Sequence, residues 1–371
     1  MKLLIVGSGM YVSGRGTDEI GTILPAAIEF SKHVTNPNYQ ITVACTSIES
    51  MEQLWIRSDI IREDLHVKDD ALVDCKLMDE INYSDYDACI VAIPDKNHFE
   101  VISSVLKAHL DILCVKPLVT THEECWGIEA LLTDSPKDII TAVEFHKRFD
   151  KSNLTIRENI NLIGDLLNVN VEYSQPKTIP LKHFKNWSGT SNPFQYLGPH
   201  YIDIISYITH AKPIGVKAVG QKKYCKSKGI DTYDSVQAMI EWDKGFNSMW
   251  DISWVDDLNS PSFSNQKIRF HGTKGKIEAD QSNRGITIHS DDQKYTQPNP
   301  YFSKKYGSSF RGYGCDSIIH FLSLVEGSET SQLLPTFAES MTNVKTIEAV
   351  NNSLETNEYV PVDHKIYGDL N

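Results

Sequence analysis

The first 145 residues alternate short apolar runs with segments of helical spacing. Lys2–Val6 and Gln40–Cys45 have the continuous apolar character of buried strands. Residues 86–93 (YDACIVAI) are almost unbroken in it, as a strand covered on both faces must be. Residues 111–115 and 139–145 complete the series. Between these runs, 22–32, 99–109 and 121–132 place apolar residues every three or four positions, which is the period of a helix. Strand–helix alternation with strands buried on both faces predicts a parallel, doubly wound α/β sheet.

Beyond about residue 147 the texture changes. Residues 167–173, 235–242, 246–254 and 267–271 alternate apolar with polar positions. Asp243-Lys244-Gly245 and Gly272-Thr273-Lys274-Gly275 have the composition of tight turns. Half-buried strands joined by such turns predict an antiparallel sheet covered on one face, hence an α+β second domain. The division falls at 1–146 and 147–371, and 371 residues at ~150 per domain allow two. The polar stretch 174–192 is expected to be a long functional loop. Trp242, Trp250 and Trp254 share parity across a hairpin, which sets them on one sheet face.

The formal charge of −13 speaks against a nucleic-acid or anionic-membrane partner, since both need a basic surface. An anionic substrate remains open, because it needs only a local basic pocket. Seven scattered cysteines without a CxxC pair point to reduced, buried thiols in a cytoplasmic protein. No apolar run reaches the ~18 residues of a membrane span, so no membrane partner is expected. The short apolar opening ends in Gly7 and fits a strand better than a signal peptide. Sequons at Asn82, Asn153 and Asn186 carry no weight without secretion. No histidine pair has metal-ligand spacing, so no metal is expected.

The first strand runs into Gly7-Ser8-Gly9-Met10, a turn that lets a pyrophosphate approach the backbone. Val12 stands where a third glycine is usual, while Gly14, Gly16 and Gly21 follow. The reading is an inserted loop over 11–20, with the helix beginning near Thr22. At the end of the second strand, Thr46 and Ser47 occupy the place where a carboxylate would bind a ribose 2′-hydroxyl and repel a 2′-phosphate. Either NAD or NADP is permitted, and the pattern leans to NADP. Arg15 and Arg57 are the nearest cations, and Thr46 can equally serve as a helix cap.

Three further stretches follow in order: Val91-Ala92-Ile93-Pro94 with Asp95, Asn97 and His98; Cys114-Val115-Lys116-Pro117-Leu118; and Gly198-Pro199-His200-Tyr201-Ile202-Asp203. Behind a glycine turn, this set resembles the Gfo/Idh/MocA oxidoreductases. Phe270-His271-Gly272-Thr273-Lys274-Gly275 and Pro335-Thr336 extend the resemblance over essentially the whole chain. The resemblance implies an N-terminal Rossmann domain and a C-terminal α+β domain with a large, mostly antiparallel open sheet. That second domain would carry the substrate site and an oligomer interface, giving a homodimer or homotetramer. The implied activity is hydride transfer between NAD(P) and a secondary alcohol or ketone carbon of a sugar or sugar derivative, phosphorylated and acidic ones included.

The same resemblance places the cofactor against Gly7, Gly9, Met10, Thr46, Ser47, Ile93, Pro94, His98, Lys116 and Pro117. Lys116 and His200 are the proton-handling pair: an ammonium steadies developing alkoxide, and an imidazole titrates near working pH. Against these stand a solvated surface lysine and a structural histidine at a helix N-terminus. Arg148, Lys182, Asn192 and Asp203, with Lys116 and His200, are the candidate substrate contacts. The chain departs from the family pattern twice. Val115 replaces the glutamate of Glu-Lys-Pro, and Tyr196 replaces the aspartate four residues before the histidine. Tyr196 is either a proton donor or filler. These departures keep two alternatives open: a cofactor-retaining lyase, isomerase or glycosidase working through transient sugar oxidation, and a non-catalytic NAD(P)-binding sensor.

Overall fold

Strand β1 (Lys2–Val6) exposes Lys2 and nothing after it, because parallel neighbours flank it on both sides. The computed structural model describes every residue except 18, 35–37, 70–71, 136–137, 186, 292–294 and 366–371. The sequon at Asn186 therefore lies outside the described residues. In chain order β1 is followed by a single helical turn α1 (Met10–Ser13), α2 (Ile23–Ser31), β2 (Gln40–Cys45), α3 (Ile48–Asp64) and β3 (Val73–Leu77). Then come β4 (Ala88–Val91), α4 (His98–Lys107), β5 (Asp111–Val115), α5 (His122–Thr133) and β6 (Thr141–Glu144). The six strands are all parallel, in the order β3-β2-β1-β4-β5-β6. The order reverses at β1, and ligands of such sheets bind beyond the strand ends at that point.

Edge strand β3 was not visible in the pattern, and α3 was marked only by its start near Ile48, where Ser47 rather than Thr46 proves to be the cap. Edge strand β3 buries Val73 and Cys75 and turns Asp74 outward, so it carries too short an apolar signal. Helix α3 leaves Ile48, Trp55, Ile56 and Ile60 exposed, which blurs its period. The expected inserted loop over 11–20 is also corrected. A helical turn follows Gly9 directly, and the loop proper starts at Gly14, the left-handed residue that ends that turn. A side chain at Gly14 would meet the Glu19 carbonyl, and one at Gly21 would meet the Gly14 amide. The two glycines let the loop close on itself.

The second unit opens with α6 (Lys151–Asn159), β7 (Leu166–Pro176), α7 (Pro193–Thr209), β8 (Pro213–Gln221) and a short turn α8 (Tyr224–Ser227). Strands β9 (Ser235–Trp242), β10 (Asn247–Asp256), β11 (Asn265–Gly272) and β12 (Gly275–Asp280) follow. The chain then rejoins the first unit with a hairpin, β13 (Lys304–Tyr306) and β14 (Ser309–Arg311), and α9 (Tyr313–Glu326), before α10 (Phe337–Thr356) and β15 (Val360–Pro361). The large sheet runs β12-β11-β7-β10-β9-β8-β15 and is antiparallel except where β7 meets β10. Residues Tyr301–Met341 cluster with Met1–Asp150; residues Lys151–Pro300 cluster with Thr342–His364.

In the second unit, α7 lays Tyr201, Ile204, Ile205 and Ile208 into the core with the inward residues of β7, β9 and β10. The three tryptophans face that core, and their indoles are hydrogen-bonded rather than merely packed. Trp242 and Trp250 both donate Nε1–H to Ser248 Oγ, at 2.8 and 2.7 Å. Trp254 donates to Gln175 Oε1 at 3.2 Å. The stretch expected to be a long functional loop over 174–192 begins inside β7 and then packs. Ile179, Pro180, Phe184 and Ser188 are buried, with Lys182 and His183 exposed between them. All seven cysteines are buried and unbridged. Among the described residues, no helix is long and apolar enough to cross a membrane.

Candidate active site

The glycine turn shows two different needs for glycine. Gly7 has φ +114°, and a Cβ there would lie 2.2 Å from the Ala92 carbonyl oxygen on the neighbouring strand end. Gly9 has an ordinary φ of −75°, and nothing lies within 4 Å of where its Cβ would be. The fold itself demands glycine at position 7 but not at 9. The open space beside Gly9 is the kind of cradle a pyrophosphate fills. Met10, next in the chain, is 46% exposed over the same turn.

The loop after this turn is held by α3. Arg57 donates to the carbonyls of Gly14 and Thr17. Arg15, thereby fixed, donates from Nη1 to Ser50 Oγ at 2.8 Å and to Ser8 Oγ at 3.2 Å. Ser47 caps α3 by accepting from the Ser50 amide at 3.2 Å, while Thr46 and Ser47 are both exposed. The guanidinium therefore sits between the glycine turn and the end of β2, where no carboxylate faces it from Thr46 or Ser47.

His98 is fully buried and joins two strand ends. Its Nδ1 lies 2.8 Å from the Pro117 carbonyl oxygen, and its Nε2 lies 3.0 Å from that of Ile93. It touches the backbone that would meet a nucleotide rather than opening to solvent itself. Lys116 follows the last residue of β5 and precedes a cis peptide bond to Pro117. It is half-buried, and desolvation pushes its amine down to about 8, against the opposing pull of Asp95 and Glu144. Glu144 ends β6, opposite Val115 in the parallel register, and is 2% exposed. Its Oε1 accepts from Ser317 Oγ at 2.7 Å, and His146 Nδ1 lies 3.2 Å from both oxygens.

Sequence reasoning passed over Asp95 and Glu144 as functional groups. The signal available was a carboxylate closing an otherwise apolar strand, which is costly to bury without partners. Arg148, two residues past His146, donates to the Leu333 carbonyl at 3.0 Å, and Lys147 is buried.

In the second unit, α7 begins at Pro193, capped by Asn192, whose Oδ1 accepts from the Gln195 amide at 2.9 Å. Asn192 Nδ2 donates to Asn351 Oδ1 at 2.8 Å. This start places His200 two turns inside the helix, not at its N-terminus. His200 and Asp203 are both buried, at 6% and 4% exposure, one turn apart. Tyr196, one turn before His200, wedges its ring among Phe184, Trp187 and Trp254 at centroid distances of 4.8, 5.6 and 6.1 Å. Lys182 lies on the exposed side of the packed 174–192 stretch. Among the described residues, no group of three or more His, Cys, Asp or Glu side chains gathers as a metal site.

Two family descriptions cover most of the chain. Residues 1–140 match the oxidoreductase family with an NAD-binding Rossmann fold, and residues 155–278 match the GFO/IDH/MocA C-terminal domain. Inositol 2-dehydrogenase of Rhizobium meliloti is 23% identical over 250 residues, 66% of this chain and 71% of that one. The structure of scyllo-inositol dehydrogenase from Lactobacillus casei with bound NAD(H) and scyllo-inositol superposes with a TM-score of 0.72 at 16% identity, covering 97% of this chain and 98% of that one. Myo-inositol 2-dehydrogenase from Lactobacillus plantarum gives 0.73 at 15% identity, covering 98% and 99%. Matched from the first glycine turn into the large sheet, the chain belongs to the Gfo/Idh/MocA family of oxidoreductases.

Proposed function

We propose that this protein transfers a hydride between a nicotinamide nucleotide and a secondary alcohol or ketone carbon of a cyclitol, sugar or sugar derivative. The observation that carries the reading is Lys116, a half-buried amine at a strand end of a nucleotide-binding sheet, lowered to about 8 and flanked by carboxylates. The inositol dehydrogenases among the relatives support a polyhydroxylated ring as substrate.

When bound, the nucleotide supplies the hydride acceptor or donor. Gly7, Gly9 and Met10 would hold its pyrophosphate, Thr46 and Ser47 its adenosine ribose, and Ile93, Pro94, Lys116 and Pro117 its nicotinamide end. His98 acts through Ile93 and Pro117, whose carbonyls it fixes. Lys116 donates a hydrogen bond to the reacting oxygen and steadies the negative charge that grows there. His200 takes the hydroxyl proton during oxidation and returns it during reduction. Tyr196 is held by its aromatic neighbours on the same side of α7 as His200 and offers a second donor. Arg148, Lys182 and Asp203 would contact substrate oxygens, with Asn192 holding the start of α7.

The cofactor reading leans to NADP, supported by Arg15 at the end of β2 and by the lack of a carboxylate at Thr46 and Ser47. We further propose assembly as a homodimer or homotetramer through the open sheet face, where Leu167, Val219 and Met249 are exposed.

The test is incubation of the purified protein with NAD or NADP and a panel of free and phosphorylated cyclitols and sugars. The readout is the ultraviolet absorbance of the reduced nicotinamide. A rise with at least one polyol is expected. Substrate conversion without any absorbance change would support the cofactor-retaining alternative. Nucleotide binding without conversion of any compound would support a sensor.

A further inference from the structure

A lysine amine placed among apolar strand ends loses hydration and needs a counter-charge to stay an ammonium. Asp95 and Glu144 are carboxylates that act on Lys116. Asp95 lies on the turn after β4 and Glu144 at the end of β6. His98 is occupied with the backbone carbonyls of Ile93 and Pro117. The Cys114 thiol is pushed far up by burial and stays neutral. His146 contacts Glu144 directly. Of the two carboxylates, Asp95 sits on a partly exposed turn, whereas Glu144 is buried and immobilised.

The way Glu144 is held matters. β5 and β6 pair in parallel with Val115 opposite Glu144, so the strand that ends in this carboxylate runs beside the strand that delivers Lys116. Ser317, from α9, donates to one carboxylate oxygen, and His146 sits against both. The ring of His146 is in turn braced by Phe302 and Tyr313, at 5.2 and 5.7 Å between centroids. Asp95 exerts the larger pull on Lys116 and Glu144 the next, but Glu144 is the one held in place, by Ser317 and His146 in low dielectric, where its charge is little screened.

We propose that Glu144 is a positioning residue for Lys116: its carboxylate, anchored by Ser317 and His146, is the built-in counter-charge that holds the ammonium at the end of β5. The inference rests on the reading of Lys116 as the group that meets the substrate oxygen. It supplies from β6 the fixed negative charge that Val115 does not supply from β5. Removal of this charge leaves burial less opposed, so Lys116 should give up its proton at lower pH.

The experiment follows the charge of Lys116 without any substrate. The full-length protein is labelled at trace level with acetic anhydride across a pH series, and the rate at Lys116 is read by mass spectrometry, with exposed Lys107 as reference. In the wild type the midpoint should lie at about 8. In Glu144→Gln it should fall, raising the labelling rate of Lys116 at neutral pH by roughly threefold or more, half a pH unit. Glu144→Asp should restore most of the wild-type midpoint. Ser317→Ala keeps the charge but frees the carboxylate, and should move the midpoint the same way by less; it carries the test if Glu144→Gln does not fold. An unchanged Lys116 midpoint in a folded Glu144→Gln or Ser317→Ala protein overturns the proposal. A general rise that Lys107 shares overturns it as well, since that is loosened structure. Because labelling needs no turnover, failure of Lys116 as a catalytic group appears separately, as undiminished activity of Lys116→Ala.

Discussion

The guanidinium of Arg15 donates to Ser50 Oγ at 2.8 Å, which ties the loop after the glycine turn to the first turn of α3. Seen along the chain, these residues are 35 positions apart; in space they close the end of β2. A cation in that place, with the hydroxyls of Ser8 and Ser50 on it, fits a phosphomonoester better than a ribose hydroxyl. The expected result is tighter binding of NADP than of NAD. Arg15→Ala should weaken NADP by about 10–100-fold, the loss of one or two charged hydrogen bonds, and leave NAD within about twofold. Fluorescence titration with both nucleotides checks this. Equal loss for both would reassign Arg15 to the pyrophosphate or to loop structure.

The two glycines of the turn make opposite predictions. Gly7→Ala forces a left-handed conformation on alanine and drives its Cβ into the Ala92 carbonyl. It should cost roughly 2–4 kcal/mol of stability, seen as a lowered melting temperature. Gly9→Ala meets nothing within 4 Å and should melt like the wild type, yet lose nucleotide binding because the methyl group occupies the ligand's space. A Gly9→Ala protein that binds nucleotide normally would remove the pyrophosphate from this turn.

His200 and Lys116 should each be needed for chemistry rather than for folding. His200→Asn and Lys116→Ala are expected to lower turnover by about 10²–10⁴-fold with modest change in nucleotide affinity. Steady-state kinetics on whichever polyol proves active, beside nucleotide titration, measures both. Near-normal turnover in either variant withdraws that residue's role.

The pH dependence follows from Lys116. Its ammonium is the donating form, and the amine titrates at about 8. Turnover should therefore hold below that value and fall as pH rises through it. Lys116→Arg keeps its charge through this range, so whatever activity it retains should lack the basic limb. A pH–rate profile of the two proteins decides the matter, and an identical limb in both would place the titration elsewhere.

The parallel sheet was legible because β1, β4 and β5 are buried on both faces and write that directly into an apolar run. The second sheet was legible through β9 and β10, which alternate residue by residue. What escaped notice is long-range. Gly215 and Gly220 in β8 interrupt its alternation, since the space above them is filled by the rings of Tyr359 and Tyr233. The return of 301–341 to the first unit is carried by the packing of α9 on α2 and by the Val143 amide, which donates to the Pro335 carbonyl at 2.9 Å. No local pattern announces either. At the site, the glycine turn was apparent from its place between a strand and a helix, and the strand-end lysine from the family resemblance. Glu144 was not, because its meaning depends on which strand lies next to β6.

Ser248 offers a check on the second unit that is independent of catalysis. It is fully buried on β10 and is the common acceptor for the indoles of Trp242 and Trp250. Those two rings lie in the core that α7 packs upon, so their orientation bears on the helix that carries Tyr196, His200 and Asp203. Ser248→Ala removes one small hydroxyl but strands two buried N–H donors, each costing about 1–3 kcal/mol to leave unmade. Denaturant unfolding should show a loss of about 2–4 kcal/mol, far above that of an ordinary serine substitution. Ser248→Thr keeps the acceptor and adds a methyl group; any loss it shows reflects packing. If Ser248→Ala unfolds at the wild-type midpoint, the indoles have other acceptors, and the hydroxyl is not what orients them.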